Sequence, residues 1–386
     1  MCSVVRQTAF SLFVYIASIA WTLVMTGICS AQADSESESV VNLASKPLRT
    51  VGVIRGDCKK CHPSEVSSWM KTTHFQSADL RLFTTDANTL KYAAALGIAK
   101  DELTSTAVCA SCHGTQAIRD GQTVLLGGVS CEKCHGASGG HDGWLNRHQS
   151  YDDSQVIPRT AETEAHRQAR VDDCQRSGMI RSENLYALAK VCYSCHLVNN
   201  EKLITAGHKL AGAFDFVSWS EGEVRHNFFM NRNENAAAPT LWQETTGNSA
   251  INRRRLKLVA GTLAQLEMGL RCRAETSNPV LIPQIGGMIA SANGKMIQIN
   301  VVSQIDEVGD AINVVTPLMA TLFVSSPQDK ERYTAAAERI TEIANRFLTN
   351  HDGQNLSGLD AMLQVVKPHY SQQFLDKFRH TDFVAE

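Results

Sequence analysis

The chain has 386 residues, with 37 basic against 39 acidic side chains, 13 His, 12 Cys and an aromatic share of 6%. The length accommodates two domains, and the near-neutral charge argues against nucleic acid as a partner, since phosphate binding calls for a marked excess of Lys and Arg.

In chain order, Arg6 precedes an uncharged, mostly apolar stretch from Ala9 to Cys29. Ala31-Gln32-Ala33 then offers a small-x-small cleavage site before the acidic, Ser-rich Asp34 to Ser39. Residues 1–33 are expected to be a signal peptide and 34–50 a linker, which makes the chain periplasmic or otherwise exported. The apolar run is longer than a usual signal core, so an uncleaved anchor is the competing expectation, and membrane contact would follow only in that case. Ile28 before Cys29 does not suit a lipoprotein signal.

The pentapeptide Cys-x-x-Cys-His then occurs four times: Cys58/Cys61/His62, Cys109/Cys112/His113, Cys131/Cys134/His135 and Cys192/Cys195/His196. This is the attachment signature of haem c, in which two thiols bond the two vinyl groups of one porphyrin and the adjacent imidazole ligates the iron. Four-cysteine zinc sites or redox disulfides would account for the Cys pairs, but not for a His directly after every one. The expected cofactors are therefore four covalently bound haem c. Export and haem attachment also belong together, because haem c is attached on the far side of the membrane. Removing residues 1–33, which carry Arg6 and no acid, leaves 36 basic against 39 acidic side chains. With two propionates per porphyrin, the oxidised holoprotein would carry about −7, which favours redox partner proteins with a basic docking face.

All four motifs fall within 51–235, read as a tetrahaem domain. Fewer than fifty residues serve each cofactor, so the porphyrins must supply much of the core, with short helices ending at the motifs and little regular sheet. The polar stretch Gln149 to Lys190 reads as a surface excursion. From 250 to 386 the chain reads as an all-α C-terminal region, giving a mostly α protein overall. Leu256, Val259, Leu263, Leu266 and Leu270 recur at helical spacing, as do Tyr333, Ala336, Ala337, Ile340, Ile343, Ala344, Phe347 and Leu348, which begin after Ser326-Pro327 and end before Gly353. The basic run Arg253-Arg254-Arg255-x-Lys257 reads as a solvated helix face rather than a propionate or protein contact. Cys174 and Cys272 either pair or remain buried thiols.

Whether an iron carries electrons or does chemistry depends on its second axial position. Nine His lie outside the motifs. His74, His141, His208 and His226 are the expected distal ligands; His148 and His166 rank below them, and His351, His369 and His380 read as structural. His141 follows the third motif through the Gly-rich Gly136 to Gly140, so it reaches a neighbouring haem more easily than its own.

The segment from about Val51 to His226 resembles the tetrahaem cytochromes of the cytochrome c-554 / c-prime type. The likeness rests on Asp57-Cys58-x-x-Cys61-His62-Pro63 followed by Trp69 and His74, on Cys131-Glu132-x-Cys134-His135-Gly136 with His141, and on Cys192-x-x-Cys195-His196 followed by Gly207-His208. It implies a mostly helical fold around closely stacked haem pairs, periplasmic electron transfer and mainly bis-His ligation, with His141 facing the first haem and the second motif's haem open. Gly207-His208-Lys209 and His226-Asn227 depart from the family's Gly-His-Pro and His-Trp. The region after Asn252 is outside the likeness.

Two functions follow. One is a periplasmic carrier relaying electrons between redox partners through closely spaced haems, which the supply of His favours, and no catalytic cluster is seen beside any motif. The alternative is an oxidoreductase, or a subunit of one, acting on a small nitrogen or sulfur compound at one five-coordinate haem.

Overall fold

A computed structural model describes residues 58, 62, 65–66, 69–83, 86–119, 122–139, 143–149, 162–211, 214–220, 224, 250–326 and 328–363. All of them fall in the unit Val40–Glu386. The expected signal or anchor, residues 1–33, lies outside the described residues, as do Cys61, His141, His226, His369 and His380. Among the described residues no helix is long and apolar enough to cross a membrane.

The protein is mostly helical. Its N-terminal part is made of short helices: α1 (Ser77–Arg81), α2 (Ala87–Leu96), α3 (Ala107–His113), α4 (Cys131–His135), α5 (Leu145–Gln149), α6 (Glu164–Arg176), α7 (Leu185–His196), α8 (Glu201–Thr205) and α9 (Phe216–Trp219). Helices this short gain little from their own hydrogen bonds and depend on caps and tertiary contacts. The caps are present: Asp86, Thr163, Asn184, Asn200 and Asp215 each accept a backbone N–H from the first turn of their helix. Between α3 and α4 the antiparallel strands β1 (Thr115–Arg119) and β2 (Gln122–Gly127) pair with Gln116 opposite Leu125 and Ile118 opposite Thr123, with an irregularity at Thr115/Gln116. Asp120-Gly121 between them is the two-residue hairpin signal.

The C-terminal part is built on α10 (Ala250–Glu275), α11 (Leu281–Ser303), α12 (Asp306–Val315) and α13 (Asp329–Asn350). Both expected stripes are realised. Leu256, Val259, Leu263, Leu266 and Leu270 are buried on α10, and Tyr333, Ala336, Ala337, Ile340, Ile343, Ala344 and Phe347 on α13. α10 packs on α7, α9, α11 and α13, so it is enclosed nearly all round. Gly261 permits its approach to α9, because a Cβ there would lie 2.7 Å from that of Phe216.

One apolar cluster runs from Leu185, Tyr186, Ala189 and Tyr193 of α7 through α10 to Leu359. The helix that ends in the fourth motif is therefore part of the C-terminal core. This placement corrects two expectations. Gln149 to Lys190 is not simply a surface excursion: α6 buries Arg170 and Cys174, and the stretch runs into the buried face of α7. The basic run is not solvated either. Arg253, Arg255 and Lys257 are each under 9% exposed and donate to Ser182 O, to the Asp360 carboxylate and to Ser220 Oγ. Because α10 is enclosed on this side, these three cations are satisfied by a carbonyl, a carboxylate and a hydroxyl that pack there.

Candidate haem-binding site

The motifs occupy helix ends. α3 ends at His113, α4 spans Cys131–His135 and α7 ends at His196, while His62 N–H donates to Cys58 O at 2.8 Å in the same kind of turn. Positions i, i+3 and i+4 lie on one helix face, so the second, third and fourth motifs each turn two thiols and an imidazole the same way. The described motif cysteines, Cys58, Cys109, Cys112, Cys131, Cys134, Cys192 and Cys195, are all reduced. Among the described residues no cluster of His, Cys, Asp and Glu is arranged to hold a bare metal ion. Cys174 and Cys272 are reduced and buried, which settles that alternative.

The motifs meet in pairs. The Cys112 thiol hydrogen-bonds Cys195, joining the second and fourth, and the Cys131 thiol hydrogen-bonds Cys58, joining the third and first. The bond from Cys112 draws the Cys195 thiol down to about 7, and the same bond together with burial pushes Cys112 well above the usual thiol range. Burial, with a smaller push from Cys195, raises Cys134 to about 11.

The imidazoles also meet in pairs. The His74 and His196 ring centroids are 6.2 Å apart, those of His113 and His208 6.4 Å, and those of His62 and His148 6.1 Å. A metal–nitrogen bond of about 2 Å on either face of an iron, with the rings' own dimensions added, sets two trans imidazoles about 6 Å apart.

Local structure delivers each partner. After α1 and β2 the chain crosses the His74 turn, where Val129 N–H donates to His74 O at 2.8 Å and the Trp69 indole donates to Val129 O at 2.8 Å. Gly128 is required there, since a Cβ would fall 2.4 Å from His74 O. For His208, Tyr92 donates to Gly207 O at 3.2 Å and lays its ring against the imidazole at 5.2 Å. His208 Nδ1 lies 2.9 Å from Lys209 O; a carbonyl can only accept, so Nδ1 donates there and Nε2 is the nitrogen left to ligate. For His148, the segment after the third motif folds back on itself, with the Trp144 indole donating to Gly136 O at 3.0 Å and its ring edge-on to His148 at 5.7 Å.

The proximal side is arranged in the same way. His135 Nδ1 donates to Ile180 O at 2.8 Å. Burial, with smaller contributions from His208, Arg81 and His74, lowers His113 to about 4, so its imidazole is neutral and able to ligate. The His196 ring stacks on Phe214 at 4.4 Å and lies 5.3 Å from Trp219.

Among the expected distal ligands, His74 and His208 are brought to motif imidazoles, while His141 and His226 lie outside the described residues. His148 ranked low on sequence yet stands opposite His62. Its signal was Trp144, four residues earlier on one helix face. His166 is structural, bonded at 2.7 Å to the Glu162 carboxylate that also receives Arg170, and His351 binds Glu307 at 3.1 Å.

Reduced thiols with an imidazole directly after them at the ends of helices are the binding elements of a c-type cytochrome, and covalent haem c is the group they fit. Residues 57–136 match the family described as cytochrome c554 and c-prime, which supports c-type haem binding and electron transfer. The matched span is about a fifth of the chain and holds the first three motifs. No curated protein and no solved structure matches the chain.

Proposed function

We propose that the protein is an exported tetrahaem electron carrier with mainly bis-imidazole irons, the approach of His148 to His62, of His208 to His113 and of His74 to His196 supporting three of the pairs. Haem c supplies a one-electron couple; the chain holds it through Cys58/Cys61, Cys109/Cys112, Cys131/Cys134 and Cys192/Cys195 and fixes its axial ligands. The thiol contacts between motifs support two close haem pairs, first with third and second with fourth.

The observation that carries the reading is the approach of His208 to His113 at 6.4 Å, with its Nδ1 proton committed to Lys209 O. The oxidoreductase alternative needs an open iron at the second motif, and the approach of His208 to His113 supports a closed one, since His208 would then serve as the second imidazole. A closed iron exchanges electrons without binding small molecules. Export rests on residues 1–33, and a basic face on the redox partners follows from the negative holoprotein.

Intact mass of the exported protein should equal the apo mass plus four haems. Its ferric spectrum should be low-spin throughout, and carbon monoxide should leave the reduced form unchanged. His208→Ala should convert one iron in four to high spin and create one carbon monoxide site. Binding of carbon monoxide to a quarter of the haems in the unaltered protein would refute closure at His113.

A further inference from the structure

Between its two cysteines the first motif carries Lys59-Lys60, the second Ala110-Ser111 and the fourth Tyr193-Ser194, whereas the third carries a carboxylate, Glu132. That carboxylate is 1% exposed, and burying it is costly unless its oxygens accept hydrogen bonds. Both oxygens do. Ser130 Oγ, from the residue that precedes the motif, donates to Oε2 at 2.9 Å, and Ser138 Oγ, from the segment that follows it, donates to Oε1 at 3.0 Å. Both serines are buried too, and Ser130 is fixed in turn by its backbone N–H, which donates to Thr115 Oγ1 at 2.9 Å.

Ser138 is held at two points. Its hydroxyl is on Glu132, and its carbonyl accepts the N–H of Leu145, the first residue of α5, at 3.1 Å. Gly143 lets the chain close there, since a Cβ would lie 2.2 Å from Ser138 O. α5 has five residues, too few to hold its place by its own hydrogen bonds, and its last turn carries His148, whose ring centroid is 6.1 Å from that of His62. We propose that Glu132, although it belongs to the third motif, is a positioning residue for the first motif's iron. Through Ser138 it sets where α5 begins, and so where His148 stands opposite His62. This role rests on the pairing of His148 with His62 proposed above.

The test compares Glu132→Ala, Glu132→Gln and His148→Ala in the holoprotein, by electron paramagnetic resonance of the ferric form and carbon monoxide binding to the reduced form, after intact mass has shown the parent's haem content in each. Gln keeps the shape of Glu: its carbonyl accepts one serine hydroxyl and its amide donates to the oxygen of the other. Glu132→Ala should add the same single high-spin iron as His148→Ala, with the same signal, while Glu132→Gln stays with the parent. Glu132→Ala combined with His148→Ala should add one high-spin iron rather than two. A parent-like Glu132→Ala beside a high-spin His148→Ala would overturn the role of Glu132. So would a second high-spin iron in the combined variant, since Glu132 would then serve its own motif. A low-spin His148→Ala would instead refute the pairing with His62, and the role with it. If Glu132→Ala does not mature, Ser138→Ala decides: it should add high-spin iron with the signal of His148→Ala, and an unchanged spectrum would overturn the proposal.

Discussion

The C-terminal helices and the motif-bearing segments reach stability by different routes. From Leu256 to Leu359 the chain buries an apolar core of its own, continuous over four long helices. Around the second motif the corresponding cluster is Ala78, Leu82 and Ala110, with Cys109 and Leu125 against it, and Phe83, Val108 and Ile118 remain about half exposed. Short helices with so small a core gain little by themselves, and covalently bound haem would supply the apolar surface that this part lacks. α7 is shared: one face is core, and its last turn is the fourth motif.

This contrast can be broken by removing either kind of core. The largest effect is expected from Cys109→Ala combined with Cys112→Ala. The second motif's segment should become sensitive to limited proteolysis, while fragments containing α10 to α13 stay protected; loss of protection in both would show that the two parts share one cooperative transition. Leu263→Ala should cost about 2–5 kcal/mol in denaturant unfolding through the cavity it leaves, with the haem content of the unaltered protein retained.

The shared helix gives a smaller effect. Glu267 of α10 is buried and receives Tyr186 and Lys190 of α7 and Arg271 of α10. Burial alone would raise its pKa, but Lys190, Tyr186 and Arg271 together hold it below the usual 4.5. A depressed carboxylate contributes stability that is present above pH 4.5 and lost as the pH falls through the lower folded value. Glu267→Gln should cost on the order of 1–3 kcal/mol at neutral pH and flatten the acid limb of a stability profile below pH 4.5. The smallest effect is expected from Asn184→Ala, which removes the side chain that accepts Ala187 N–H at the start of α7, about 1 kcal/mol by thermal unfolding.

What was legible in the sequence was local or periodic. The four motifs need only five adjacent residues. The stripes of α10 and α13 follow from a 3.6-residue period, and the expected short helices ending at His113 and His196 follow from i, i+3, i+4 spacing. α11, α12 and the hairpin were not singled out. α11 carries Lys295 as its only charge between Leu281 and Ser303, so it lacks a contrasting polar face, although Asp120-Gly121 marked the hairpin.

Tertiary structure decided the rest, because those outcomes depend on residues distant in sequence. His148 reaches His62 across 86 positions, and His74 reaches His196 across 122. No periodicity encodes such a meeting; it depends on Gly128 and Gly143 allowing backbones to touch, and on Trp69 and Trp144 bonding carbonyls elsewhere in the chain. Arg253, Arg255 and Lys257 look like a wet helix face until α10 is enclosed, when Ser182, Asp360 and Ser220 become their partners. The sequence alone determined which atoms can bond a haem, since thiol and imidazole chemistry is carried within one helical turn. Which imidazole faces which motif was set only by packing, because a second axial ligand must arrive from another part of the chain.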